Sequence, residues 1–235
     1  IIISVFLSRF LHPSDIRGEF IQASYRSSAA ILGIAIIQNL YGNAGMAPLM
    51  IIASVPLYNV MAVVILSIFK PGQGKLNGVV LKRTLKGIIT NPIILGIAAG
   101  TLWSLLRLPF PKILDSTVGN LAKTATPLGL MAMGGSLRFG KAFSRLKASV
   151  ACTFMKLVGY EALFLPLAIR CGFTQDKLVS IILMLGSAST VTCFVMAKNM
   201  DHEGSFSSGV VLLTTVFSAF TLTLWLFICK NLGLI

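Results

Sequence analysis

The chain has 235 residues, 55% of them hydrophobic and 11% charged, against about a quarter charged in soluble domains. With a mean hydropathy of +0.87, this excludes a soluble globular protein and defines an all-α polytopic membrane protein. The net charge of +13 would suggest nucleic acid in a soluble chain; here the cations read as topology, the partner is the lipid bilayer, and no nucleic acid is expected.

Apolar runs of about 20 residues recur between short polar breaks, each long enough to cross a hydrocarbon core of about 30 Å. The first run ends near Leu11, too short to span and without a basic leader or cleavage site. It reads as the end of a helix that begins upstream, and the chain as a fragment of something longer. After a polar turn, His12 to Gly18, the next span runs from Glu19 to Tyr41. Within it Gln22-Ala-Ser-Tyr-Arg-Ser-Ser-Ala-Ala-Ile-Leu-Gly33 is interrupted by small polar residues. A turn over Gly42 to Pro48 leads to a span from Leu49 to Phe69. Lys70 to Gly78, rich in Gly and Lys, is the strongest linker signal and divides residues 1–69 from 91–235, with 70–90 between the halves. In Val79 to Thr90 the cations Lys82, Arg83 and Lys86 share one arc, the pattern of a helix lying against anionic headgroups. Asn91-Pro92 caps and starts a span that ends near Leu106. Ile113 to Leu137, Ala148 to Ile169, Lys177 to Met200 and Phe206 to Cys229 complete the series. Within Lys177 to Met200, Leu185-Gly-Ser-Ala-Ser-Thr-Val-Thr-Cys-Phe-Val-Met-Ala-Lys198 is the second interrupted stretch.

With the loop before Glu19 inside, Arg9, Arg17, Lys70, Lys75, Lys82, Arg83, Lys86, Arg138, Lys141, Arg145, Lys147 and Lys198 fall at inside ends. Only Arg107, Lys112, Arg170, Lys177 and Lys230 fall outside, a positive-inside bias for a multi-pass protein of the cytoplasmic membrane. This orientation makes the two interrupted helices antiparallel. An inverted repeat produces that relation, with substrate held between the repeats near the midplane.

In hydrocarbon a loosened backbone is tolerated only where it is buried in protein or lines a wet cavity, so the interruptions mark a binding site. Its candidate residues are Ser27, Ser28, Ser187, Ser189, Thr190 and Thr192. Asn120, Lys123 and Thr124 share a face with Pro127, and Lys123 near the midplane is either a contact for a carboxylate or a structural partner of Glu161. Glu161 is alternatively a carrier for a coupling proton. Lys156, about 140° around the helix from Glu161, is a poor partner for it and is expected to snorkel to the inside surface. Arg26 reads as a snorkelling anchor or as an anion contact. Gly96, Gly100, Gly134, Gly135 and Ser136 are expected to allow close helix packing, and Asn59 to make an interhelical hydrogen bond.

Arg26-Ser-Ser-Ala-Ala-Ile-Leu-Gly33, Pro56-Leu-Tyr-Asn59, Asn91-Pro-Ile-Ile-Leu-Gly96, Lys123-Thr-Ala-Thr-Pro-Leu-Gly-Leu130 with Gly134-Gly-Ser-Leu137, and Phe194-Val-Met-Ala-Lys198 resemble the auxin efflux carrier family, bacterial branch. The match covers nearly the whole chain in order. The resemblance implies an inverted-repeat ten-helix transporter fold, similar to bile-acid symporters and sodium/proton antiporters, whose fourth and ninth helices break and cross at the substrate. It also implies elevator-like alternating access and an organic anion as cargo, such as auxin or malonate. On this alignment the chain lacks the first two helices and most of the third. It holds the end of helix 3, crossover helix 4 and helix 5 in 1–69, a cytoplasmic linker in 70–90, and helices 6 to 10 in 91–235. Family members usually carry Asn at the position of Ser28 and Pro at those of Ala35 and Ala188; without the prolines a continuous helix becomes allowed.

These readings converge on a secondary transporter of a small organic anion, a carboxylate, with H⁺ or Na⁺ as the coupling ion; a homodimer is compatible with the sequence. The alternative is a non-transporting or truncated remnant acting as a sensor or assembly partner. No GxSxG, HExxH or twin-Asp pattern appears and no span contains a His, so no enzyme and no catalytic residue are expected. His12 and His202 stand alone and the four cysteines are scattered singly, so neither a metal nor any cofactor is expected.

Overall fold

The computed structural model describes residues 1–11, 14–43, 45–72, 78–90, 92–107, 109, 111–136, 140 and 145–235. The readings made above for His12, Lys75, Asn91, Leu137, Arg138, Lys141 and the side chain of Arg83 lie outside what it describes. Among the described residues every regular element is a helix. In chain order these are α1 (Ile2–Ser8), a 3₁₀ turn (Ser14–Ile16), α2 (Arg17–Tyr25), α3 (Ala29–Tyr41), α4 (Ala47–Ile68), α5 (Gly78–Ile89), α6 (Pro92–Leu105) and α7 (Lys112–Gly135). They continue with α8 (Leu146–Arg170), α9 (Gln175–Gly186), α10 (Thr192–Asn199) and α11 (Ser205–Asn231). Among the described residues α4, α8 and α11 are long and apolar enough to cross a membrane. α7 is 24 residues long but carries Lys112, Asp115 and Lys123, and it does not join them.

The span expected over Glu19 to Tyr41 is two helices, α2 and α3, and that over Lys177 to Met200 is also two, α9 and α10. Both breaks form without proline. Arg26 turns extended after α2 (φ −72°, ψ 139°) and Ser187 does the same after α9 (φ −71°, ψ 157°). Ala35, at one of the positions where the resembled family carries proline, lies inside α3 and leaves it helical, whereas Ala188 lies in the second break. A third irregularity lies in α8. Residues Met155–Gly159 form a π-helical turn, with the Tyr160 N–H bonded to the Met155 carbonyl.

Polar contacts fix the directions of the helices. At one end Arg145, at the start of α8, bridges Asp15 and Glu203 at 2.7 and 2.8 Å. Lys70 beyond α4 pairs with Asp201, and the Nε2 of buried His202 lies 2.9 Å from the Leu66 carbonyl oxygen. Glu19 of α2 accepts the N–H groups of Gly204 and Ser207 at 2.9 and 2.8 Å, so a carboxylate from one helix caps the N-terminus of α11. Gly204 holds φ +74° there, a left-handed cap conformation that glycine adopts without strain. At the other end the Gln175 N–H donates to the Leu234 carbonyl, and Gly45 packs on Asp176. The broken pairs α2/α3 and α9/α10 therefore run antiparallel. The segments gathered at the first end are those that the cation pattern puts together on one side.

Between these ends lie two apolar cores. Ile16, Phe20, Ile21, Ile65, Cys152, Phe206 and Val210 fill one, while Ile37, Leu165, Leu178, Ile182, Leu183 and Leu222 fill the other. The two breaks occupy the level between them. α6 packs on α4, and α7 meets α10 through its C-terminal part, where Gly129 and Met133 are buried. Among the described residues nothing lies within 4 Å of a Cβ built at Gly96, Gly100, Gly134 or Gly135, so the close packing expected of them is not seen there. It occurs instead at Gly18 on His202, Gly129 on Val191 and Gly186 on Glu161.

Candidate functional site

The backbone at each break is held by the other break. The Ser28 N–H donates to the Ala188 carbonyl at 2.9 Å, and Ser189 Oγ to the Ala23 carbonyl at 3.2 Å. The hydroxyls of Ser27 and Ser187 are hydrogen-bonded to each other, and Ser27 Oγ also reaches the Leu183 carbonyl. Gln22 Nε2 donates to the Cys193 carbonyl at 2.9 Å, and the Ser189 N–H donates to Thr214 Oγ1 at 3.0 Å. A helix end inside a bilayer must find partners for its freed groups. Here serine hydroxyls and one backbone bond between the two breaks supply some of them, which is why the helices break without proline.

Two cations are buried at this level. Arg26, 3% exposed, donates to Asn59 Oδ1 at 2.8 Å and to Met196 Sδ at 2.6 Å; its Nε has no partner among the described residues. It is therefore not a snorkelling anchor. Asn59 in turn donates to the Val55 carbonyl, so its amide oxygen stays aimed at Arg26. Lys156, 1% exposed, does not snorkel either. It lies on the π turn of α8, and its ammonium interacts with the thiols of Cys152 and Cys193 and with the Glu161 carboxyl. The π turn changes the geometry assumed for a regular helix. In a turn closed by i→i+5 bonding, residues five apart take the stacked place that residues four apart hold in an α-helix. Lys156 and Glu161 are brought toward one side in this way.

Glu161 is fully buried, and neither carboxyl oxygen has a hydrogen-bond partner among the described residues. It packs on Gly186, the last residue of α9, where an added Cβ would overlap Oε1. Lys156 and Glu161 thus flank the second break, one beside Cys193 of α10 and the other beside Gly186 of α9.

The structure brings together Arg26, Ser27, Ser28, Ser187 and Ser189. Thr190 Oγ1, hydrogen-bonded to Thr192 Oγ1 at 3.0 Å, lies at the more open edge of the same break. It does not bring in the α7 face: Asn120, Lys123 and Thr124 are exposed, and Thr124 Oγ1 bonds the Leu121 carbonyl of its own helix. The structural pair considered for Lys123 and Glu161 is therefore not formed. Sequence reasoning read Lys156 as a snorkelling lysine and gave Gln22 no role. A lysine ten residues into an apolar helix was the available signal for the first; Gln22 gave none.

Chemically, the crossing offers two buried cations and the N-termini of α3 and α10, neither with a side-chain cap, all of which favour an anion. A carboxyl without a hydrogen-bond partner lies beside them. Broken helices that cross inside a bundle of membrane-length helices, with buried charges at the crossing, are the architecture of a membrane transport protein. The chain belongs to the auxin efflux carrier family, whose model, described as "Membrane transport protein", matches residues 1–226. A protein of Rhizobium meliloti (strain 1021) described as "Putative malonate transporter" is 26% identical over 162 residues, covering 68% of this chain and 50% of that protein. The chain spans about half the length of this curated relative.

Proposed function

We propose that this protein is a secondary transporter of the cytoplasmic membrane that carries a small organic anion, a carboxylate, by elevator-like alternating access. The observation that carries this reading is the meeting of two antiparallel broken helices with the Arg26 guanidinium buried at their crossing. Ser27, Ser28, Ser187, Ser189, Thr190 and Thr192 supply hydroxyls and backbone groups around the substrate, and Arg26 supplies charge. Support for a carboxylate comes from the two helix N-termini and from the name of the Rhizobium relative. The two halves on either side of residues 70–90 are the repeats of an inverted pair. α6 and α7 form the support against which the crossing slides, and that movement brings Asn120, Lys123 and Thr124 of α7 to the substrate in another state.

The test is uptake of a labelled carboxylate panel into proteoliposomes of the full-length protein, under pH and sodium gradients, with Arg26→Gln and Lys123→Ala beside the wild type. Saturable uptake that Arg26→Gln abolishes supports the proposal. Folded wild-type protein that carries no member of the panel overturns it and favours a sensor or assembly role.

A further inference from the structure

Arg26 is held by partners of unlike quality. Asn59 Oδ1 is an amide oxygen, and the amide nitrogen of Asn59 is tied to the Val55 carbonyl, so this partner is fixed on α4. The other is Met196 Sδ of α10, a thioether, which is a weak acceptor at the end of a flexible, unbranched side chain. The Nε of Arg26 has no partner among the described residues. A guanidinium keeps its charge in any protein environment and presents several N–H groups, so a buried one that spends an N–H on sulfur is poorly matched. Met196 is itself fully buried, packed with Ala62, Val63 and Leu66 of α4, and Arg26 is closed off from solvent beside it.

A carboxylate oxygen is a better acceptor than a thioether for the same N–H, because the bond joins two charged groups and is about twice as strong as a neutral one. The exchange asks little of the protein. Asn59 keeps the guanidinium in place, and Met196 withdraws by turning its side chain, without breaking a backbone hydrogen bond of either break. Met184 of α9 provides the contrast. It too accepts through sulfur, from Tyr58 Oη at 3.1 Å and Ser54 Oγ at 3.7 Å, but both donors are neutral hydroxyls and that contact holds no charge to be matched. We propose that Met196 is a displaceable placeholder in the anion site: its sulfur occupies an Arg26 N–H in the empty protein, and a carboxylate oxygen of the cargo takes that N–H on binding. The sulfur contact then sets part of the affinity, since every bound anion must replace it. This rests on the organic-anion reading above and adds to it the protein group that the anion displaces.

The experiment is calorimetric binding of malonate and of acetate to the purified full-length protein, with carbon-13 NMR of the methionine methyl groups with and without saturating malonate. In the wild type one methionine methyl resonance, the one missing from Met196→Leu, is expected to move when malonate binds. Leucine has nearly the volume of methionine, so Met196→Leu keeps the packing and removes the acceptor. The empty site is then left with a further unpartnered N–H, and malonate affinity is expected to rise about threefold to tenfold, the scale of one net hydrogen bond. The melting temperature of the empty variant falls at the same time, and saturating malonate narrows the difference. Met184→Leu is expected to leave malonate affinity at the wild-type value; an equal rise there overturns the proposal, because the effect would not belong to Arg26. A wild-type spectrum in which no methionine methyl responds to bound malonate overturns it and needs no variant. Unchanged or weaker malonate affinity in folded Met196→Leu overturns it as well, and in each of these cases wild-type binding of malonate leaves the transporter reading standing. Wild-type protein that binds neither anion also overturns the placeholder, and the uptake panel then decides the transporter reading by itself.

Discussion

Arg26 and Asn59 form the plainest dependency among single residues. The guanidinium is buried and Asn59 Oδ1 is its oxygen partner at 2.8 Å. Asn59→Leu is expected to cost about 2 kcal/mol, the scale of a hydrogen bond to a buried charge, and to lower the melting temperature in detergent. Unchanged melting would mean that Arg26 finds another acceptor. Gly186 gives a sharper test, because a Cβ there overlaps Glu161 Oε1. Gly186→Ala is expected to destabilise by about 1–3 kcal/mol, as overpacked sites do. Combined with Glu161→Ala it is expected to cost clearly less, since the shortened side chain vacates the space. Additive effects in that double-mutant cycle would show that the two residues do not touch. The sequence made Arg26, Glu161 and the serines legible as polar residues at membrane depth. What it concealed is direction: whether Arg26 and Lys156 reach a surface or stay inside depends on neighbours far along the chain.

At the scale of elements, the breaks were readable and their cause was not. Small polar residues at 22–28 and 187–192 marked both interruptions, and lost prolines argued that they could close. They stay open because each break supplies hydrogen bonds to the other, as in Ser28 to Ala188 and Ser189 to Ala23, and no local pattern encodes that reciprocity. The π turn at Met155–Gly159 left no mark in the sequence either, since a phase slip in a helix is set by packing on both sides of it. It does make a prediction. Deleting Val158 should convert the turn to α-helix and leave Glu161 four residues after Lys156, stacked on the same side as before. We expect far-ultraviolet circular dichroism to stay helical and carboxylate uptake to persist; loss of uptake in the folded deletion variant would show that the π turn itself, and not only the register it sets, is needed. Glu19 reaches from α2 to cap α11, and Glu19→Ala should cost about 1–2 kcal/mol in thermal unfolding.

For the whole molecule the question is what moves. The broken helices, α8 and α11 share two apolar cores and a network of ion pairs at one end, which ties them into one packed unit. α7 meets this unit around Gly129, next to Val191 at the second break, while its polar face bearing Lys123 is exposed. An elevator movement would slide the packed unit past α7 and change that contact in every cycle. A Cβ at Gly129 lies 4.0 Å from the Val191 Cβ, within the span that a disulfide bridges. Gly129→Cys with Val191→Cys, in a chain whose exposed Cys171 is replaced by Ser, should cross-link on mild oxidation. Uptake should then fall to background and recover on reduction, while either single cysteine is unaffected by the oxidant. Anion binding in detergent should survive the cross-link, because the crossing itself is not altered. Full uptake by the cross-linked protein would show that α7 and the crossing travel together, and the alternating access proposed here would need a different moving boundary.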